Sequence, residues 1–379
     1  MSSLQKIKNI LQSGYLKAIL IIIIFVFGIL LFIDQTIVPL FNVKKLEVIT
    51  IENDEDFYLY TSLGNGSDQN PFILDGLKLG TSQRKLKESY RLISVTNTVS
   101  SFSITNCEFT GGFFCIFIED ISSGQILITN NSFTGIHHYS GLDTSFPTLA
   151  AISIDNSFCN VTIRNNKFTG KFQSCIDLDT TGNILMENNF CNFDRPPLAL
   201  YVYGSQNLTL LNNIIKGEIK IVWVNSISFI SNKISQAKSR FMSISEGKFS
   251  NNSFEAFSYF EFYQMQNFTF SGNNITHGLR GLQLNHCNYS TIKSNFFFNC
   301  SDYALTLNEN TNNITIFHNA FIENNILGIS QAFDNGYKNM WFNSILLEGN
   351  YWDNLGLNVT YEIDGTAGSI DLYPLSSSI

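Results

Sequence analysis

The sequence predicts an all-β solenoid, a right-handed parallel β-helix of roughly 11 to 13 turns, preceded by one N-terminal transmembrane helix. Two observations predict the solenoid and a third predicts the helix. First, one phrase recurs: "SFSITNCEFTG" at 101–111, "ILITNNSFTG" at 126–135, "VTIRNNKFTG" at 161–170 and "LTLLNNIIKG" at 208–217. Second, the bulky residue after each Asn pair recurs at Phe109, Phe133, Phe168, Cys191, Ile215, Ile234, Phe254, Ile275, Phe297, Phe321 and Trp352, mostly in steps of 19 to 24 residues. A period of that size marks a stack of like units, each burying its apolar side on its neighbours. Third, Ala18 to Ile33 is an unbroken run of apolar residues and Gly.

The elements follow in chain order. Residues 1–14 carry Lys6 and Lys8 and read as a cytoplasmic N-terminus. Residues 15–41 read as a signal anchor. The sixteen apolar residues rise about 24 Å as a helix, and Lys17 can snorkel to lengthen the span. The basic flank stays inside. No small-x-small cleavage site follows the run. The expected location is therefore the cell membrane, single-pass, with the solenoid on the extracytoplasmic side.

Residues 42–70 read as a linker and cap, broken by "LGNGSDQNP", and residues 71–375 as the β-helix. "FILDGLKL" at 72–79 reads as the first apolar strand. "RLISVTNTVSSFSITNCEF" reads as the first complete turn. Each later turn has an alternating strand, a corner, an apolar-Thr-apolar strand, and then Asn-Asn-x-Phe. Two residues before the anchor stand Asn131, Asn166, Asn189, Asn213, Asn232, Asn252, Asn273, Asn295, Asn319 and Asn350. Asn tolerates the left-handed backbone of a sharp corner, and its amide can bond the Asn above and below it. These ten are the predicted structural ladder. Leucine-rich repeats have a similar period, but their leucine slots and helical segment are missing.

The repeat also absorbs features that otherwise suggest function. Of the seven Cys, Cys191 takes a Phe slot and Cys107 an Asn slot. Cys115 and Cys175 share a slot with Ala151, Ala199, Gly281 and Ala304, so buried free thiols are expected. More than half of the eleven Asn-x-Ser/Thr sequons fall on repeat corners, leaving Asn65, Asn288, Asn299 and Asn358 more freely placed. The net charge of −8 argues against a nucleic-acid partner, which calls for a basic stripe.

The Asn-Asn-x-Phe turns, the opening "GSDQNPFILDGLKL" and the closing "GNYWDN" at 349–354 resemble the NosD-type and carbohydrate-binding and sugar-hydrolase (CASH) β-helix proteins of the pectate-lyase-like superfamily. The resemblance covers about residues 64–375. It implies a right-handed parallel β-helix outside the cytoplasmic membrane. It also suggests an accessory role in copper handling as one alternative. Neither the polygalacturonase catalytic set nor the arginine-centred base motif of pectate lyases is present.

In the first strand of each turn, alternate residues face out. The outward pairs read Ser94/Thr96, Phe117/Glu119, Ser153/Asp155, Asp177/Asp179, Tyr201/Tyr203, Lys220/Val222, Ser243/Ser245, Glu261/Tyr263, Gln283/Asn285 and Thr306/Asn308. Glu119, Asp155, Asp177 and Asp179 therefore form an acidic patch. Such carboxylates raise one another's pKa or recruit a cation, which makes all four a candidate calcium site. Asp155, Asp177 and Asp179 are the candidate catalytic residues, because paired carboxylates serve glycoside hydrolysis. Tyr201 and Tyr203 suit sugar stacking. The insertion "GIHHYSGLDTSFPTLA" at 135–150 brings His137, His138 and Asp143 to the patch as further ligand-binding candidates. The expected partner is a polysaccharide or cell-surface glycan. The expected function is a non-catalytic surface scaffold or carbohydrate-binding module, the alternative a polysaccharide lyase or glycoside hydrolase.

Overall fold

The computed structural model describes residues 48–80, 91–111, 114–136, 150–172, 174–193, 198–236, 238–255 and 259–378. The chain divides into two units, Met1–Leu46 and Glu47–Ile379. The first unit, with the predicted span 15–41, lies outside the described residues. Among the described residues no helix is long and apolar enough to cross a membrane.

The second unit is a parallel solenoid of three sheets with 12, 11 and 12 strands. Each turn contributes one strand to each sheet, except the last, which adds Ala332–Asp334 to the first and Tyr351–Trp352 to the third but none to the second. Within these sheets the pairing is parallel, from Ile49–Ile51 on Arg91–Thr96 at one end to Leu305–Leu307 on Ala332–Asp334 at the other, and a short antiparallel pair, Tyr361–Glu362 with Ile370–Asp371, lies beyond them. The sequence anchors fall in one column of the third sheet. Phe109 pairs with Phe133, Phe133 with Phe168, Phe168 with Cys191, and so on to Phe321 with Trp352. Each is at most 2% exposed. The rings stack where Phe follows Phe, at 4.8 Å for Phe109–Phe133 and 4.6 Å for Phe133–Phe168. Offset stacking of this kind adds to area burial.

The ladder forms as expected. The Asn166 Nδ2 donates to Asn189 Oδ1 at 3.1 Å and to the Ile128 carbonyl at 2.9 Å, while its backbone N–H donates to the same Asn189 oxygen. Each rung from Asn131 to Asn319 repeats the bond to the next Oδ1. Both amide hydrogens and both lone pairs are thus used in the interior rungs, so ten buried polar side chains cost little. The ladder ends on other chemistry. The Cys107 N–H donates to Asn131 Oδ1 at the start, and Asn350 donates its backbone N–H to Asp371 Oδ2 at 2.7 Å at the finish.

Four details differ from expectation. In every ladder corner but the last, the left-handed residue is not the ladder Asn but the one before it: Asn130, Asn165, Asn188 and Asn212, then Ser231, Asn251, Gly272, Ser294 and His318. One residue turns the chain and the next bonds its neighbours. The solenoid begins at Ile49, inside the residues read as linker and cap, because Ile49 and Ile51 alternate into the core. A 3₁₀ segment, Asp54–Leu59, then caps the open end, with Phe57 stacked on Phe72 at 4.6 Å. "FILDGLKL" is two strands, Phe72–Asp75 and Lys78–Gly80, because Gly76 turns left-handed between them. Finally, the outward pair after Lys220/Val222 is Arg240/Met242, not Ser243/Ser245. Ser243 is the left-handed corner residue after that strand.

All seven cysteines are buried and free. At the C-terminal end Trp352 stacks between Phe321 at 4.2 Å and Tyr361 at 3.9 Å. Its indole N–H donates to Asp371 at 3.0 Å.

Candidate functional site

Two outward columns run along the first sheet. One contains Phe117, Ser153, Asp177, Tyr201 and Lys220 in register; the other contains Glu119, Asp155, Asp179, Tyr203 and Val222. Glu119, Asp155 and Asp179 thus lie on three neighbouring strands, with Asp177 diagonal to Asp155. Like charges placed opposite on adjacent strands destabilise a sheet. The surroundings deepen the conflict. Asp177 is 7% exposed. Burial first, and then the charges of Asp177, Asp179 and Glu119, push Asp155 up to about 6. The Ser153 hydroxyl donates to Asp155, and the Thr180 hydroxyl to Asp179 at 2.8 Å. Two cations bracket the patch: Arg91 lies 3.3 Å over the Phe117 ring, and Lys220 lies 5.4 Å from the Tyr201 ring.

The aromatic end is larger than the sequence reading allowed. Tyr201 and Tyr203 are 6.4 Å apart at an interplanar angle of 24°. Trp223 continues the platform, its ring 4.9 Å from Tyr203. It is 57% exposed and adopts a left-handed backbone, φ 56°. A bulky side chain rarely accepts that conformation, and such strain concentrates at functional positions. The strand register brings Trp223 beside Gly204, one residue past the Tyr203–Val222 pair. Trp223 escapes a sequence reading because "IVWVN" looks like one more apolar strand. The signal is that Trp223 occupies the corner slot held in neighbouring turns by Asn156, Thr180 and Gly204.

His137, His138 and Asp143 lie outside the described residues. Among the described residues no three His, Cys, Asp or Glu side chains are grouped to hold a metal ion. The four carboxylates share one face of the first sheet, where they can accept from hydroxyl donors. Ionised carboxylates accept hydrogen bonds, and rings beside them offer an apolar surface to a sugar.

A family model described as a right handed beta helix region matches residues 198–350. No curated protein and no solved structure matches the chain. Together with the three parallel sheets, the family match identifies the solenoid as a right-handed parallel β-helix.

Proposed function

We propose that this chain is a membrane-anchored, extracytoplasmic glycan-binding β-helix of the NosD-type/CASH group. The observation that carries the reading is the in-register run Asp155, Asp179 and Tyr203, with the Trp223 ring packed beside Tyr203. Acceptors for hydroxyls pass there directly into an aromatic platform. Four carboxylates repel a uronate, so the favoured ligand is a neutral glycan. The "GNYWDN" terminus supports the group, and the Lys-flanked apolar run 18–33 supports the anchor.

The test is a glycan array probed with the full chain, followed by titration of the strongest hit. Trp223→Ala should weaken binding at least about tenfold, as loss of an aromatic anchor does, without lowering the melting temperature. Absence of any saturable glycan binding would sink the proposal.

A second reading rests on one observation, the Asp155 carboxyl held near 6 beside carboxylates on both neighbouring strands. A general acid near neutrality paired with a carboxylate about one strand spacing away, ~4.8 Å, fits a retaining glycosidase, whose pair stands ~5–5.5 Å apart. Release of new reducing ends, lost in Asp155→Asn, would move the function from binding to hydrolysis.

A further inference from the structure

We propose that a second ligand site lies at the C-terminal end of the same face and takes one neutral sugar ring with vicinal hydroxyls. The proposal rests on the glycan reading for ligand class, not for location. The site is a cleft of about 150 Å³. Its floor is the outward column, Gln283, Thr306 and Phe333 on successive strands in register. Its walls come from the segments that lead into those strands. Arg280 and Asp302 form an ion pair at 3.2 Å, and the Tyr303 ring stands 5.3 Å from Phe333. The Tyr303 hydroxyl donates to Asp364 at 3.0 Å, which holds that ring in place.

Gln283 points to a ligand. The residue is 6% exposed overall and lines the cleft, and its amide makes no hydrogen bond to any described residue. A primary amide brings two donors and an acceptor with two lone pairs, and here they are open to the cleft. Its column neighbours pair with other residues. Glu261, the preceding residue of the column, accepts from Asn285 and pairs with Arg240 at 3.8 Å, and Asn285 in turn accepts from Asn308. Gln283 is left facing the space.

The chemistry of that space selects the ligand. An amide next to an Arg–Asp pair offers donors and acceptors side by side, and vicinal hydroxyls each donate and accept. Phe333 and Tyr303 give an apolar wall for the C–H face of a pyranose, the mix of apolar walls and few polar groups that small-molecule sites use. The ion pair is neutral overall, and a uronate would compete with Asp302 for Arg280. From Tyr201 the column runs through Lys220, Arg240 and Glu261 to Gln283, four strand spacings or about 19 Å. No single ring touches both places.

The experiment is saturation-transfer NMR and titration calorimetry on the full chain with the methyl glycosides of glucose, galactose and mannose, and with glucuronate. One neutral glycoside should bind, and glucuronate should bind at least about tenfold more weakly. Gln283→Leu and Phe333→Ala should each weaken the neutral ligand about tenfold or more, the scale of one lost hydrogen-bonding group for Gln283 and of one lost aromatic anchor for Phe333. Thr306→Val, the mildest change, should weaken it several-fold with an unaltered melting curve. Trp223→Ala should leave it unchanged. If none of the three neutral glycosides binds, or if binding survives both Gln283→Leu and Phe333→Ala, the cleft proposal is overturned. If monosaccharide binding disappears in Trp223→Ala instead, the ligand sits on the aromatic platform, which overturns the cleft and leaves the glycan reading standing. If the cleft binds but long glycans ignore Trp223→Ala, the cleft stands and the earlier reading fails.

Discussion

Along the corner between the second and third sheets, every rung from Asn131 to Asn350 places the same amide in the same position. Along the outward face of the first sheet the pairs change from turn to turn: Ser153/Asp155, then Asp177/Asp179, Tyr201/Tyr203 and Lys220/Val222. The backbone is equally regular under both. The difference is solvent. A buried amide must be bonded on all sides, so each rung constrains the next. An outward residue need only tolerate water, so it is free to serve a ligand. On this solenoid repetition marks stability, and departure from repetition marks the candidate site.

The sharpest way to break that comparison is within the ladder. Asn232→Ala removes the acceptor of two Asn213 N–H groups and the donor to Asn252 and to the Leu210 carbonyl. At ~1–3 kcal/mol for each buried group left unpaired, the loss should be about 4 kcal/mol in urea unfolding. A loss below ~1 kcal/mol would mean that the rungs do not depend on one another. Glycan affinity, per folded molecule, should not change.

A smaller effect is expected on the outward face, and with the opposite sign. Asp155 is held near 6, above its unfolded value of about 3.9. The folded state therefore binds this proton more tightly. Stability falls as pH rises from about 4 to about 6 and stays reduced above that. Asp155→Asn should raise stability at pH 7.5 by about 1 kcal/mol, a figure reduced from the full shift because the side chain is partly exposed. It should also flatten the slope between pH 4 and 6. Urea melts at pH 4.5 and 7.5 test both, and an unchanged slope would show that the carboxylates do not sense one another.

The smallest effect sharpens the rule by holding residue type constant. Asn160, Asn183 and Asn207 form a second amide run, bonded at 2.9 and 2.7 Å, but in solvent. Asn183→Ala should cost under ~0.5 kcal/mol, as surface changes usually do. A cost near that of Asn232→Ala would show that geometry, not burial, gives the ladder its strength.

The same distinction explains what the sequence makes legible. The anchors and the ladder repeat because packing forces them to, so a period search finds them. The acidic patch followed from alternation once the turns were aligned. Alternation misled at the strand Lys238–Met242, because Met242, Ser243, Ile244 and Ser245 alternate apolar and polar through the corner at Ser243. Trp223 stayed hidden because its exposure depends on a left-handed backbone at an apolar-looking position. The C-terminal cleft stayed hidden because Arg280, Asp302 and Tyr303 come from connecting segments with no period.

The two ends of the ladder have a further consequence. Every interior rung presents the same donors to one side and the same acceptor to the other, so nothing in it counts turns. Duplicating or deleting one whole turn between Asn131 and Asn350 would leave each amide bonded as before. Only the N–H of Cys107 and the carboxylate of Asp371 differ, and they act as the start and stop marks of a ruler. The length of this protein, and with it the distance from the acidic patch to the far cleft, is a quantity that evolution or an engineer can adjust one turn at a time.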